Sequence, residues 1–330
     1  MISKLRQTLI MVSLLGNVLL ANTGRAADAT FPVKPVTMIV PFAAGGPTDT
    51  VARLIAQAMS VDLKQTVVIE NVGGAGGTLG AGRVARATAD GHTILLHHIG
   101  QATSPTLYRN KLPYKVEDFE AIGLVTAVPM TIVARKDFPP KDLKELIDYV
   151  KKNKDKVTYA NAGLGSASHL CGMLLMKAMD TVLTTVPYKG TGPAMNDLLG
   201  GQVDFMCDQT TNTTSQIKAG KIKGYAVTSK KAIASLPQLP TAADSGLPGF
   251  EISVWHALYA PKSTPQAAVN RLNQALKVAL KDKTVISRFA ELGTEPEPEE
   301  RVKPEVLKAY LKDELTRWDG VIKKAGQFAD

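Results

Sequence analysis

Three glycine-bearing loops hold the residues best suited to chemistry: P-F-A-A-G-G-P-T-D at 41–49, G-G-A-G-G-T-L-G at 73–80 and A-G-L-G-S-A-S-H at 162–169. Glycine at Gly45, Gly46, Gly163 and Gly165 lets the backbone approach a ligand closely, and Ser166, Ser168 and Thr78 add hydroxyls. Successive N–H groups leading into a helix N-terminus attract anions, so the chemistry these loops suggest is capture of a small anion. Each side chain also has a plainer role. Asp49 suits an N-cap or a partner for Arg53 four residues on, and Ser166 and Ser168 suit caps. His169, at a helix start, can hydrogen-bond an anion as a neutral imidazole or serve structure alone. Lys189, ending V-P-Y-K-G, can neutralise a carboxylate or keep its charge in solvent.

Other chemistries find less support. His97 and His98 are adjacent in a strand and point to opposite faces, and no third ligand follows at a recognisable spacing, so no metal is expected. There is no G-x-S-x-G elbow and no Walker lysine. G-A-G-R-V-A at 80–85 matches a dinucleotide fingerprint only with Ala last and lies too far past its strand, so no cofactor is expected. The nearest nucleophile and base are Ser166 and His169, on one helix start with no evident oxyanion partner. A secreted hydrolase therefore stays a secondary reading, and no catalytic residue is assigned.

The elements that position these loops follow a leader. Lys4 and Arg6 precede an apolar run from Leu9 to Ala21, too short to span a bilayer, and Gly24 and Ala26 supply the small residues of a cleavage site before Ala27. Residues 1–26 thus read as a secretory signal. The formal charge of +9 falls to +6 when Lys4, Arg6 and Arg25 leave. The densest basic stretch, Lys141 to Lys156, is interspersed with acids, which fits a solvated helix face rather than a nucleic-acid surface. Cys171 and Cys207 enter an oxidising compartment where a disulfide is allowed, yet both have apolar neighbours suited to a buried free thiol. Sequence leaves that pairing open.

Strand, loop and helix alternate along the rest. P-V-T-M-I-V-P at 35–41 precedes a helix marked by Val51, Leu54, Ile55, Ala58 and Met59. T-V-V-I-E-N at 66–71 and T-I-L-L-H-H at 93–98 flank a second unit. V-T-Y-A-N at 157–161, T-T-V-P-Y-K at 184–189, V-D-F-M-C at 203–207 and K-G-Y-A-V-T at 223–228 continue the pattern, which predicts α/β architecture with mostly parallel sheets. Two closing helices are expected. One carries Val269, Leu272, Leu276 and Leu280, the other Leu307, Leu311, Leu315, Trp318 and Ile322, and the polar connector E-P-E-P-E-E joins them.

From about Phe31 onward the chain resembles the tripartite tricarboxylate transporter receptor family, also called the Bordetella uptake gene family of periplasmic solute-binding proteins. V-T-M-I-V-P-F-A-A-G-G-P-T-D-T-V-A-R at 36–53, V-I-E-N-V-G-G-A-G-G-T-L-G at 68–80 and P-Y-K-G-T-G-P-A-M-N-D-L-L-G-G-Q-V-D at 187–204 carry the resemblance. L-P-T-A-A-D-S-G-L-P-G-F at 239–250 and Trp255 add to it. It implies a two-lobed Venus-flytrap of the periplasmic-binding-protein fold that closes on a carboxylate for integral membrane transporter subunits. A monomer is expected. Lobe one would comprise 31–128 and 255–330, and lobe two 129–254.

Carried over by position, ligand contacts come from Phe42, Ala44, Gly45, Gly46 and Thr78 in the first lobe, and from Gly163, Ser166 and His169 in the second, with Lys189 and Asp208 near the rim. Asp208 stands out, since an acid facing an anion is repulsive unless it meets a hydroxyl or an amine or caps a loop. H-H-I-G-Q-A-T-S-P at 97–105 departs from the family pattern in having two imidazoles. His98 is therefore expected to meet a second carboxylate, and the expected ligand is a di- or tricarboxylate, with an aliphatic or aromatic dicarboxylate preferred over an amino acid. A receptor feeding a sensor would have the same fold and pocket.

Overall fold

Strand, loop and helix recur throughout the described chain, residues 31–326 and 328 of a computed structural model. The expected signal segment lies outside the described residues. In chain order the main elements are β1 (Val36–Val40), α1 (Pro47–Leu63), β2 (Val67–Asn71), α2 (Thr78–Ala85), β3 (Thr93–His98), α3 (Gly100–Tyr108) and β4 (Phe119–Arg135). Next come α4 (Leu143–Lys152), β5 (Thr158–Asn161), α5 (Ala167–Ala178), β6 (Thr184–Pro187), α6 (Thr191–Leu199), β7 (Phe205–Gln209), α7 (Thr210–Lys218) and β8 (Ile222–Val227). The chain closes with β9 (Ser253–Pro261), α8 (Gln266–Leu280), α9 (Lys283–Glu291) and α10 (Pro304–Ala325).

The strands run in the order β2-β1-β3-β9-β4-β7-β5-β6, with β8 also on β4. β1 pairs in parallel with β2 and β3, and β5 with β6 and β7, as the alternating units require. The remaining pairings are antiparallel, because β4 and β9 cross the molecule in opposite directions. β4 is the pivot: from Phe119 to Pro129 it pairs with β9, and from Met130 onward with β7 and β8. The fold is thus α/β and two-lobed, with mixed rather than mostly parallel sheets.

Helix α1 begins at Pro47, where a missing N–H costs nothing, and ends at Lys64 in the left-handed conformation. Its buried Val51, Ile55, Met59 and Leu63 join Leu272, Ala275, Leu276 and Ala279 of α8 over β1. Each such large side chain contributes about 1.5–3 kcal/mol on burial. Helix α10 buries Leu307, Leu311, Trp318 and Ile322. Its buried Glu314 accepts from Trp255 Nε1 at 2.9 Å and Trp318 Nε1 at 3.1 Å, tying the helix to β9.

Three helices rather than two close the chain, because Asp282 caps α9 by accepting from the N–H groups of Thr284 and Val285. The polar connector is also docked: Glu297 N–H donates to Val125 O at 3.0 Å. Cys171 and Cys207 form a disulfide with a Cα separation of 6.1 Å, joining α5 to β7.

Candidate functional site

The ends of β1, β5, β6 and β7 deliver their loops to one cavity between the lobes. Its walls are Phe42, Pro47, Thr48 and His98 on one side, and Ala162, Ser166, Ala167, Ser168, Thr191, Asp208 and Gln209 on the other. Four of the described helices, α1, α5, α6 and α7, begin at this wall, through Pro47 and Thr48, Ser166 to Ser168, Thr191, and Gln209 as N-cap. Helix N-termini present unpaired N–H groups and the positive end of the macrodipole, so their convergence favours a negative ligand. No described lining residue is cationic.

Local hydrogen bonds fix the walls. Ser166 Oγ caps α5 by accepting from His169 N–H at 3.2 Å, and Ser168 Oγ accepts from Ala162 N–H at 2.8 Å. Asp208 accepts from Thr191 Oγ1 at 2.9 Å and Asn212 Nδ2 at 2.6 Å, while burial pushes its carboxyl up to about 6.

Opposite, Phe42 stacks on His98 with centroids 4.7 Å apart. His98 Nδ1 accepts from Gly100 N–H at 2.9 Å, an arrangement that assigns its proton to Nε2. Thr48 Oγ1 lies 3.3 Å from His256 Nε2. Burial holds His97 and His256 down to about 3 and His98 well below its ordinary value, so the cluster is neutral. Both ring nitrogens of His97 are buried without a partner. Among the described residues no group of three His, Cys, Asp or Glu side chains is placed to hold a metal.

The lobes are latched around this cavity. Ala43 N–H donates to Lys189 O at 3.0 Å, Thr103 Oγ1 to Gly165 O at 3.3 Å and Tyr108 OH to Leu164 O at 2.8 Å. Glycine is required where backbones meet. A Cβ on Gly76, whose φ is +61°, would lie 1.8 Å from Leu164 O, and one on Gly192 would lie 2.6 Å from Ala44 O. The space between these walls is about 20 Å³, room for about one water.

Of the residues expected to touch ligand, Phe42, His98, Ser166 and Asp208 line the cavity. The others lie around it with different partners. Ala44 and Gly45 are exposed, and Gly45 N–H donates to Asp49 Oδ2 at 3.0 Å. Asp49 also accepts from Arg53 Nε at 2.9 Å, the structural role expected of it. Gly46 is packed against Gly192 as the N-cap of α1.

Thr78 Oγ1 donates to Ala75 O at 2.9 Å within its own loop, and Gly163 N–H donates to Asn161 Oδ1 at 2.8 Å. His169, held down to about 4 by burial, accepts from Gly165 N–H at 3.4 Å through Nδ1 and does not line the cavity. Its imidazole makes no hydrogen bond to Ser166 Oγ, so the two do not form a nucleophile–base pair. The Lys189 side chain is exposed and only its carbonyl takes part, in the latch. Thr48, Thr191 and Gln209 are lining residues the sequence reading missed. Their signal, a polar residue at a helix start after a strand-end loop, is the one ordinary caps share.

The same assembly of loops occurs in known proteins. A family model described as the tripartite tricarboxylate transporter family receptor matches residues 51–327. An Agrobacterium vitis UPF0065 protein from the TAR-I ttuE-ttuC' intergenic region is 55% identical over 302 residues, covering 91% of this chain and 87% of that one. The solved periplasmic binding protein BugD is 54% identical with a TM-score of 0.89, covering 91% of this chain and 100% of that one. MatC from Rhodopseudomonas palustris, solved with bound malate, is 44% identical with a TM-score of 0.84, covering 88% of this chain and 100% of that one. With the family model spanning most of its length and relatives this close, the chain belongs to the tripartite tricarboxylate transporter receptor family of periplasmic solute-binding proteins.

Proposed function

We propose that this protein captures a small carboxylate, an aliphatic or aromatic dicarboxylate, and delivers it as a monomer to the integral membrane subunits of a tripartite tricarboxylate-type transporter. The observation that carries this reading is the convergence of four helix N-termini on one interlobe cavity. The malate bound by MatC agrees with it. Export follows from a signal at 1–26. Lobe one, 31–128 with 255–330, and lobe two, 129–254, rotate about the point where β4 changes partners. Thr228 sits at that point, its Oγ1 accepting from Met130 N–H at 3.1 Å and donating to Ile252 O at 2.6 Å, so it touches both crossing segments.

The direct experiment is a melting-temperature screen of the mature chain against carboxylates, their amides and neutral sugars, with mass spectrometry of any co-purifying small molecule. A ligand that binds only the native state stabilises it by about 2.7 kcal/mol at 100 times its dissociation constant. Carboxylates should raise the melting temperature and the matching amides should not. Stabilisation by a neutral sugar alone would overturn the carboxylate reading while leaving the fold intact.

A further inference from the structure

The cavity wall built by β7 and the start of α7 presents acceptors where an anion is to sit. Asp208 is 1% exposed, with one carboxylate oxygen accepting from Thr191 and the other from Asn212. Beside it, Gln209 Oε1 is buried without a partner. A carboxylate oxygen accepts more than one hydrogen bond, so Asp208 retains unused capacity toward the cavity.

Among the described residues nothing cationic lines the cavity to answer this charge. The titratable groups nearest the cavity are His98 of β3 on its wall, His97 of β3 and His256 of β9 behind it, and His169 of α5, all held neutral by burial. Asp49 is engaged by Arg53, and Lys189 faces solvent. A ligand that offers only carboxylate oxygens to this wall is repelled. A ligand that turns an O–H or N–H toward it completes both acceptors.

On the carboxylate reading above, we propose that Asp208, with Gln209, determines specificity by selecting carboxylates that carry a hydrogen-bond donor, a hydroxyl or an ammonium, over unsubstituted ones. Donation to a buried carboxylate is charge-assisted, and leaving such an acceptor unmatched is costly, so the discrimination should be large. Titration of Asp208 near pH 6 gives the selectivity a pH dependence. Above that pH the ionised acid favours an ammonium and repels an unsubstituted dianion. Below it the repulsion fades.

The test is calorimetric titration of the mature chain with succinate, malate and aspartate from pH 5 to 8. Malate or aspartate should bind at least tenfold more tightly than succinate at pH 7.5, and the arm that wins identifies hydroxyl or ammonium as the donor. The preference for aspartate over succinate should shrink severalfold on going to pH 5. Asp208→Asn should reduce either preference below threefold, and should it fail to fold, the wild-type pH series decides alone. Three equal affinities with parallel pH profiles would overturn this inference and leave the carboxylate function standing. Absence of binding by any carboxylate would overturn the function and this inference with it.

Discussion

Acidification should destabilise the folded chain through the imidazoles behind the cleft. His97, His98 and His256 are 0%, 3% and 0% exposed. Burial holds His97 and His256 down to about 3 and His98 well below its ordinary value, with neighbouring imidazoles lowering His97 and His98 further. In the unfolded chain each titrates near 6.5. A depressed histidine stabilises the native state above its unfolded pKa, and that contribution is lost as pH falls toward the folded value.

Asp208 acts in the opposite sense. Raised to about 6, it is protonated in the native state where the unfolded acid is ionised, so its contribution is present at low pH and is lost as pH rises from about 4 to about 6. With His169 of α5 also held down to about 4 by burial, four histidines against one acid leave a net uptake of about three protons on unfolding near pH 5, worth about 1.4 kcal/mol per proton per pH unit. From pH 6.5 to 5 the loss is about 5 kcal/mol, or roughly 8 °C in melting temperature for a chain of about 300 residues. Scanning calorimetry at pH 7.5, 6.5 and 5 measures it, and replacing His97 and His256 by Gln should flatten the dependence. A melting temperature that is unchanged or higher at pH 5, or an undiminished fall in the double variant, would refute the reasoning.

Tyr108→Phe removes the hydroxyl that donates to Leu164 O at 2.8 Å across the lobes. A net hydrogen bond of about 0.5–1.5 kcal/mol makes ligand binding about 2- to 10-fold weaker where the open form dominates, or shifts the free protein toward the open form in solution scattering. Gly76→Ala places a Cβ 1.8 Å from Leu164 O at a φ of +61°, so closure should fail and calorimetry should register a loss of affinity above about a hundredfold in a protein that still melts cooperatively. Replacing Cys171 and Cys207 together by Ala frees a loop of sequence separation 36. The chain-entropy estimate for that loop is about 4 kcal/mol, which denaturant titration should recover as a lower midpoint.

The legible parts of this molecule are those whose signals are local. Gly-bearing loops between an apolar run and a helical pattern marked the strand ends at 41–49 and 162–169, and Phe42 and Ser166 on them do line the cavity. The charge of Lys189 is visible in sequence, whereas the bond its carbonyl accepts from Ala43, 146 residues away in the chain, is not. Nothing local shows that Asp49 turns back to take the N–H of Gly45. The full extent of β4 was hidden by Pro129, which reads as a strand breaker. In the structure Pro129 ends the β9 ladder at Ser253, where the chain is about to change partners and a missing donor is tolerated. Helix α9 escaped because its start is a lone Asp282 cap inside a charged stretch.

That no described lining residue is cationic makes physical sense on the proposed function, in which the protein must release what it captures. A lysine or arginine drawn into this cavity would shed its hydration on every closure and regain it on every opening, a penalty of several kcal/mol that only tight contact with the ligand offsets. The N–H groups at the starts of α5, α6 and α7 are held by their helices whether the lobes are open or closed, so they need little reordering when ligand arrives. These three N-termini belong to the half of the molecule built on β5, β6 and β7, and α1 approaches from the other. Parting the lobes therefore separates α1 from the other three and dissolves the converged field without breaking a helix. On the function proposed above, affinity would follow how far the latches of Ala43, Thr103 and Tyr108 favour closure, a quantity that a membrane partner pulling the lobes apart would change.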